Sequence, residues 1–116
     1  MPHDPAAAML DMLIAAQRAV SRLGASTEEE FLADEDAQWF MFSQIVIIGE
    51  AANRVDMATR AQHPEIPWAA AVSMRNRVVH GYDAIDWRIV YATVKHDLPS
   101  LIEALKAIVP PEQQSP

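Results

Sequence analysis

"WFMFSQIVII", residues 39 to 48, is the most apolar run in the chain, and its reading decides the fold. It falls well short of the roughly 20 apolar residues a membrane-spanning helix needs, so it reads as buried core. On the 100° step of an α-helix its neighbourhood forms two stripes. One carries Trp39, Phe42, Val46, Gly49 and Asn53; the other carries Met41, Ile45, Ile48, Ala52 and Val55. A helix apolar around so much of its circumference must be covered on more than one side. In a domain this small, the preferred reading of the second cover is a subunit interface. The plainer reading is a central helix in a monomeric bundle.

Working outward, "DEDAQ" (34–38) is a kink or a second helix start, and the long helix should run to about Thr59. Upstream, Asp4-Pro5 is an N-cap followed by proline at the first helical position. Ala6, Leu10, Leu13, Ala16, Val20 and Leu23 then recur at helical spacing, and Gly24 closes the helix. Ser26 with Glu29, or Thr27 with Glu30, offers a capping box, and the acids of "TEEE" suit a helix N-terminus. Downstream, "RAQHPEIPW" (60–68) reads as a loop. Pro67 opens a third helix, with Ala71, Met74 and Val78 inward and an end near Gly81. Asp83 or Asp86 caps a fourth helix carrying Ile89, Val90, Val94, Leu98, Leu101, Leu105 and Ile108, kinked at Pro99. There is no strand alternation, repeat or glycine-rich phosphate loop. The expectation is an all-α, four- to five-helix up-and-down bundle, one domain over 1–110 with a flexible tail over 111–116.

With 116 residues the chain can bury one core. Hydrophobic residues make up 51% and charged ones 22%, a globular composition. The absence of cysteine excludes disulfides and thiolate metal sites and fits a reducing cytoplasm. "MPHDPAAAML" lacks a basic start and carries an Asp in its apolar run, so it does not read as a signal peptide. A net charge of −7 argues against a general nucleic-acid binder. The charge is uneven, however: residues 1–50 carry all −7, whereas 54–95 hold six basic and four acidic residues. An RNA is therefore tolerable beside the second half.

That half contains "RNRVVHGYD", residues 75 to 83. Asn76 and His80 are four apart and share a helical face. Arg75 lies about 140° from His80, within reach of a long stem. Gly81 can leave the helix with positive φ, placing Tyr82 at the helix end, next to Asp83 and exposed. These groups suit RNA cleavage by the strand's own 2′-hydroxyl. His80 can move protons near neutrality, Arg75 can fork onto phosphate oxygens, and Asn76 can orient either one. The scheme needs no metal. The competing reading is a set of capping and solvation devices at a helix end. His3, His63, His80 and His96 show no metal-ligand spacing. Trp39, Trp68 and Trp87 read as core or interface anchors rather than a base-stacking platform. Glu50 is open between a partner for Arg75, a partner for Arg54 and a plain exposed acid.

"IPWAAAVSMRNRVVHGYDAIDWRIVY", residues 66 to 91, resembles the HepT-like branch of the HEPN superfamily. The hallmark there is Arg, four to six residues, His, any residue, Tyr; here it reads Arg75, "NRVV", His80, Gly81, Tyr82. "IGEAA" (48–52), the "IPW" entry and "DLPSL" (97–101) agree with it. The resemblance implies a homodimeric HEPN bundle whose motifs face each other in a composite cleft. It further implies a cytoplasmic toxin ribonuclease that needs no cofactor or metal, with Arg75, His80 and Asn76 catalytic and Arg77 on RNA phosphate. The implied partner is an MntA-like nucleotidyltransferase antitoxin that transfers AMP from ATP to Tyr82. The alternative is a non-catalytic module that binds the nucleotidyltransferase or a nucleotide.

Overall fold

The computed structural model describes residues 4–114, all of them helix, turn or loop without strand. His3 and the last two residues of the expected tail lie outside that range. α1 (Pro5–Leu23) begins where Asp4 Oδ1 accepts a bond from the Ala6 N–H, 2.9 Å away. It ends at Gly24, whose φ of 53° falls in the region glycine tolerates best. The capping box is Thr27 with Glu30: each side chain accepts from the other's backbone N–H, at 3.1 and 2.8 Å. It starts the short α2 (Glu28–Leu32). "DEDAQ" is a second start, because the Asp34 carboxylate accepts from the Ala37 N–H and caps α3 (Glu35–Asn53).

α3 stops at Asn53, short of the expected Thr59. Arg60 explains the break: its guanidinium donates to the carbonyls of Val55 and Ala52, satisfying the open end of α3. Asp56 then caps a separate α4 (Met57–Gln62), so the loop expected over 60–68 shrinks to its second half. There the Trp68 indole N–H donates to the His63 carbonyl, 3.0 Å away. α5 (Trp68–His80) follows Pro67, with Val78 buried and Ala71 and Met74 packed partly against the core.

Asp86, not Asp83, caps α6 (Trp87–Ala92). α6 and α7 (Leu98–Lys106) join through a π-helical turn, Thr93–Asp97, in which the Leu98 N–H reaches back to the Thr93 carbonyl. Pro99 supplies the reason: it has no N–H, and its ring crowds the carbonyl four residues earlier, so the helix widens rather than stops. Ile89, a member of the fourth helix's apolar pattern, is exposed. Pro111–Gln114, within the expected tail, form a short α8.

α3 packs between α1 and α5, and α7 packs on α1. The Met41, Ile45, Ile48, Ala52 and Val55 stripe is buried with Met12, Leu13 and Leu105. Each large side chain so buried contributes about 1.5–3 kcal/mol. In the Trp39, Phe42, Val46, Gly49 and Asn53 stripe only Gly49 is buried, and Trp39 stays 43% exposed. Trp39 meets Phe42 and Trp87 edge to face at 5.3 and 5.4 Å, and Trp87 leans on buried Phe31. The seam between α5 and the α6–α7 run stays open as a groove of about 290 Å³. Among the described residues, no helix is long and apolar enough to cross a membrane.

Candidate active site

The site begins at a close helix crossing. Gly49 on α3 sits directly under Arg75 on α5. A Cβ at Gly49 would overlap Arg75 Cβ and lie 2.7 Å from its Cγ and 2.9 Å from the Ala71 carbonyl oxygen. The arginine stem occupies the space that any other residue at 49 would fill. From there the guanidinium turns to the surface. Nε and Nη2 both donate to Glu50 Oε1, at 3.1 and 2.5 Å, and Nη1 donates to Asn76 Oδ1 at 2.8 Å. Glu50 is therefore the partner of Arg75, while Arg54 pairs with Asp11 at 2.8 Å.

Asn76 and His80, one turn apart on a shared face of α5, are exposed, and Arg75 turns toward Asn76. His80 is the last residue of α5, and among the described residues its imidazole has no hydrogen-bond partner. Gly81 has φ of −118°, so the expected positive φ is absent. Space is tight there instead: a Cβ would come to 3.0 Å from the Arg77 carbonyl oxygen. Tyr82 opens a 3₁₀ turn, Tyr82–Ala84, and is 63% exposed. Its hydroxyl has no partner among the described residues.

Arg77 is turned away from Arg75. Two helical steps put it about 160° around α5 from Arg75. It lines the α5 wall of the open groove with Met74, opposite Ile89 and Leu101 and above a floor of Ile45 and Ile48. Arg75 and Arg77 thus stand on opposite sides of α5, with Asn76 and His80 on the arc between them. His63 stands 3.8 Å from Glu65, and His96 is exposed on the π turn. Among the described residues no three His, Asp or Glu side chains gather as a metal site would require.

Two residues of the site came from outside the motif. Gly49 entered the sequence reading only as a stripe member and part of "IGEAA", and Glu50 as an acid of open role. The pairing of "GE" with the motif arginine depends on which helices cross, which spacing along the chain does not encode.

The family model described as "Ribonuclease HepT-like" matches residues 12–108. A protein of Thermococcus cleftensis named "Probable ribonuclease HepT" is 40% identical over 73 residues, which is 63% of this chain and 66% of that relative. A protein of Caldanaerobacter subterraneus named "Putative RNase" is 27% identical over 81% of this chain and 84% of its own length. Another of that name, from Methanocaldococcus jannaschii, is 26% identical over 91% of this chain and 97% of its own. No solved structure matches the chain. The chain belongs to the HepT-like ribonuclease family.

Proposed function

We propose that this member of the family is a homodimeric, metal-independent endoribonuclease, the toxin of a type VII-like toxin–antitoxin pair. The observation that carries the reading is on α5: an Arg75 oriented by Glu50 and Asn76, and a His80 on the face of Asn76 whose imidazole is left without a partner among the described residues. In the reaction the 2′-oxygen attacks phosphorus while its proton passes to a neutral imidazole. The bond to the 5′-oxygen breaks, and that oxygen takes a proton from an imidazolium. The products are a 2′,3′-cyclic phosphate and a 5′-hydroxyl. In a dimer with facing motifs, the two His80 side chains supply the base and the acid. Proton transfer of this kind is worth about 10²- to 10⁴-fold in rate. Arg75 stabilises the charge growing on the phosphoryl oxygens, and Asn76 holds the guanidinium from the side. Arg77, across α5 from Arg75, meets RNA phosphate.

The outward face of α3 supports the dimer. Trp39, Val46 and Glu50 fall within about 40° of one another around it. The exposed Trp39 thus shares a face with the carboxylate that holds Arg75. A two-fold contact along this face would bring two motif helices together. The exposed Tyr82 phenol suits silencing by an MntA-like nucleotidyltransferase. Its oxygen attacks the α-phosphorus of ATP, pyrophosphate leaves, and the added AMP sets an anion beside the catalytic arginine, where it repels the RNA backbone.

The net charge of −7 favours a second reading, a non-catalytic module that binds the nucleotidyltransferase or a nucleotide. Expression of the wild type beside His80→Ala, without any partner, separates the two. Growth arrest with RNA fragmentation in the wild type alone supports the nuclease. Harmless expression of both leaves the binding module.

A further inference from the structure

We propose that Glu50 is a positioning residue for RNA cleavage: it clamps Arg75 so that the arginine's free N–H groups face the phosphate. The proposal rests on the ribonuclease reading above. The guanidinium is held from two sides. A single carboxylate oxygen of Glu50 takes both Nε and Nη2, and Asn76 takes Nη1. Beneath it the stem is seated on Gly49, which leaves the chain little room to swing toward α3. An arginine carries five N–H donors, so these contacts leave two for a substrate. Two donors on one planar group match two oxygens of one phosphate. Without the clamp, Arg75 would be a mobile cation on a long stem. It would still attract RNA but would be poorly aimed.

The carboxylate also changes what the site binds. Beside Arg75 it lowers the local positive charge, which weakens attraction to RNA in its ground state. The direction it gives the guanidinium counts most in the transition state, where charge builds on the phosphoryl oxygens. Removing Glu50 should therefore separate the two kinetic constants. A structural role predicts no such split: the pair is half-exposed, with side-chain exposures of 27% for Arg75 and 49% for Glu50.

The test compares wild type, Glu50→Gln and Glu50→Ala in single-turnover and steady-state cleavage of a model RNA. In Glu50→Ala, kcat should fall roughly 10- to 100-fold, the scale of a misdirected catalytic group, while KM stays level or drops. Glu50→Gln keeps an oxygen acceptor without the charge and should recover part of kcat. The Arg75 Nε–H signal in an arginine-selective NMR spectrum should be sharp in wild type and broadened in Glu50→Ala. Identical arginine spectra, or a Glu50→Ala kcat within twofold of wild type, would overturn the clamp while leaving the ribonuclease reading intact. A wild type that fails to cut RNA would overturn both.

Discussion

The two flanks of α3 are built from different materials. α1 is buried through small and apolar residues: Ala8, Ala15, Ala16, Ala19, Met12 and Leu13 are all essentially inaccessible. α5 buries only Trp68 and Val78, and it crosses α3 where Arg75 lies over Gly49. On one flank close approach is made by alanines and yields a dry seam. On the other it is made by a glycine, and the space is filled by a charged side chain on its way to the surface. Stability and chemistry are thereby assigned to opposite sides of the same helix, which makes them separable by mutation.

The largest expected effect lies on the α5 side. His80→Ala and Arg75→Ala should each lower cleavage by about 10²-fold or more, in EDTA as in magnesium, with unchanged melting curves. Unfolding of either variant would mean that the α5 flank carries stability after all. On the α1 side, Leu13→Ala should cost about 2–5 kcal/mol in denaturant titration, because a fully buried side chain leaves a cavity. Its turnover per folded molecule should stay at the wild-type level. Gly49→Ala tests the boundary. The added methyl must displace Arg75 and the Ala71 carbonyl, so a loss of about 1–3 kcal/mol should accompany a fall in kcat. Loss of stability alone would uncouple the crossing from the site.

The smallest effect belongs to neither flank. Asp56 caps α4, and the Thr59 hydroxyl, followed by the Thr59 backbone N–H, holds its carboxyl below the ordinary aspartate range. A carboxylate with a depressed folded pKa stabilises above its unfolded pKa, and that contribution is lost as pH falls through the folded value. Asp56→Asn should therefore melt slightly below wild type at neutral pH, with the gap narrowing below about pH 4. A gap that widens in acid would reverse the assignment.

Much of the fold was legible because its signals are local. Asp4-Pro5 and Gly24 act within one turn and lie where the sequence places them, and the capping box is Thr27–Glu30, one of the two pairs the sequence offers. The end of α3 was not legible. Apolar periodicity runs on through Val55, and the side chain that satisfies the open carbonyls arrives five residues later in the next helix. Ile89 continued an apolar pattern but fell on the wall of an open groove, since α5 does not close on α6. At the site, Asn76 and His80 follow from helical spacing alone. Glu50 does not, because its choice between Arg75 and Arg54 was made by helix packing, which also gave Arg54 to Asp11. Arg77 shows the converse: its opposite bearing follows from 100° per residue, and proximity in sequence to Arg75 was the weaker guide.

The π turn at Thr93–Asp97 works as a phase adjuster. A turn of this kind carries one residue more than an α-turn over nearly the same path. Everything after it is therefore rotated by about 100° relative to an uninterrupted helix. Val90 before the turn, Val94 within it, and Leu98, Leu101 and Leu105 after it all reach the core across that rotation. The segment therefore tolerates the loss of its extra residue as well as changes in chemistry. A one-residue deletion within it would restore a regular α-turn over the same path and leave the leucines of α7 facing α1, and exposed Lys95 and His96 can be exchanged freely.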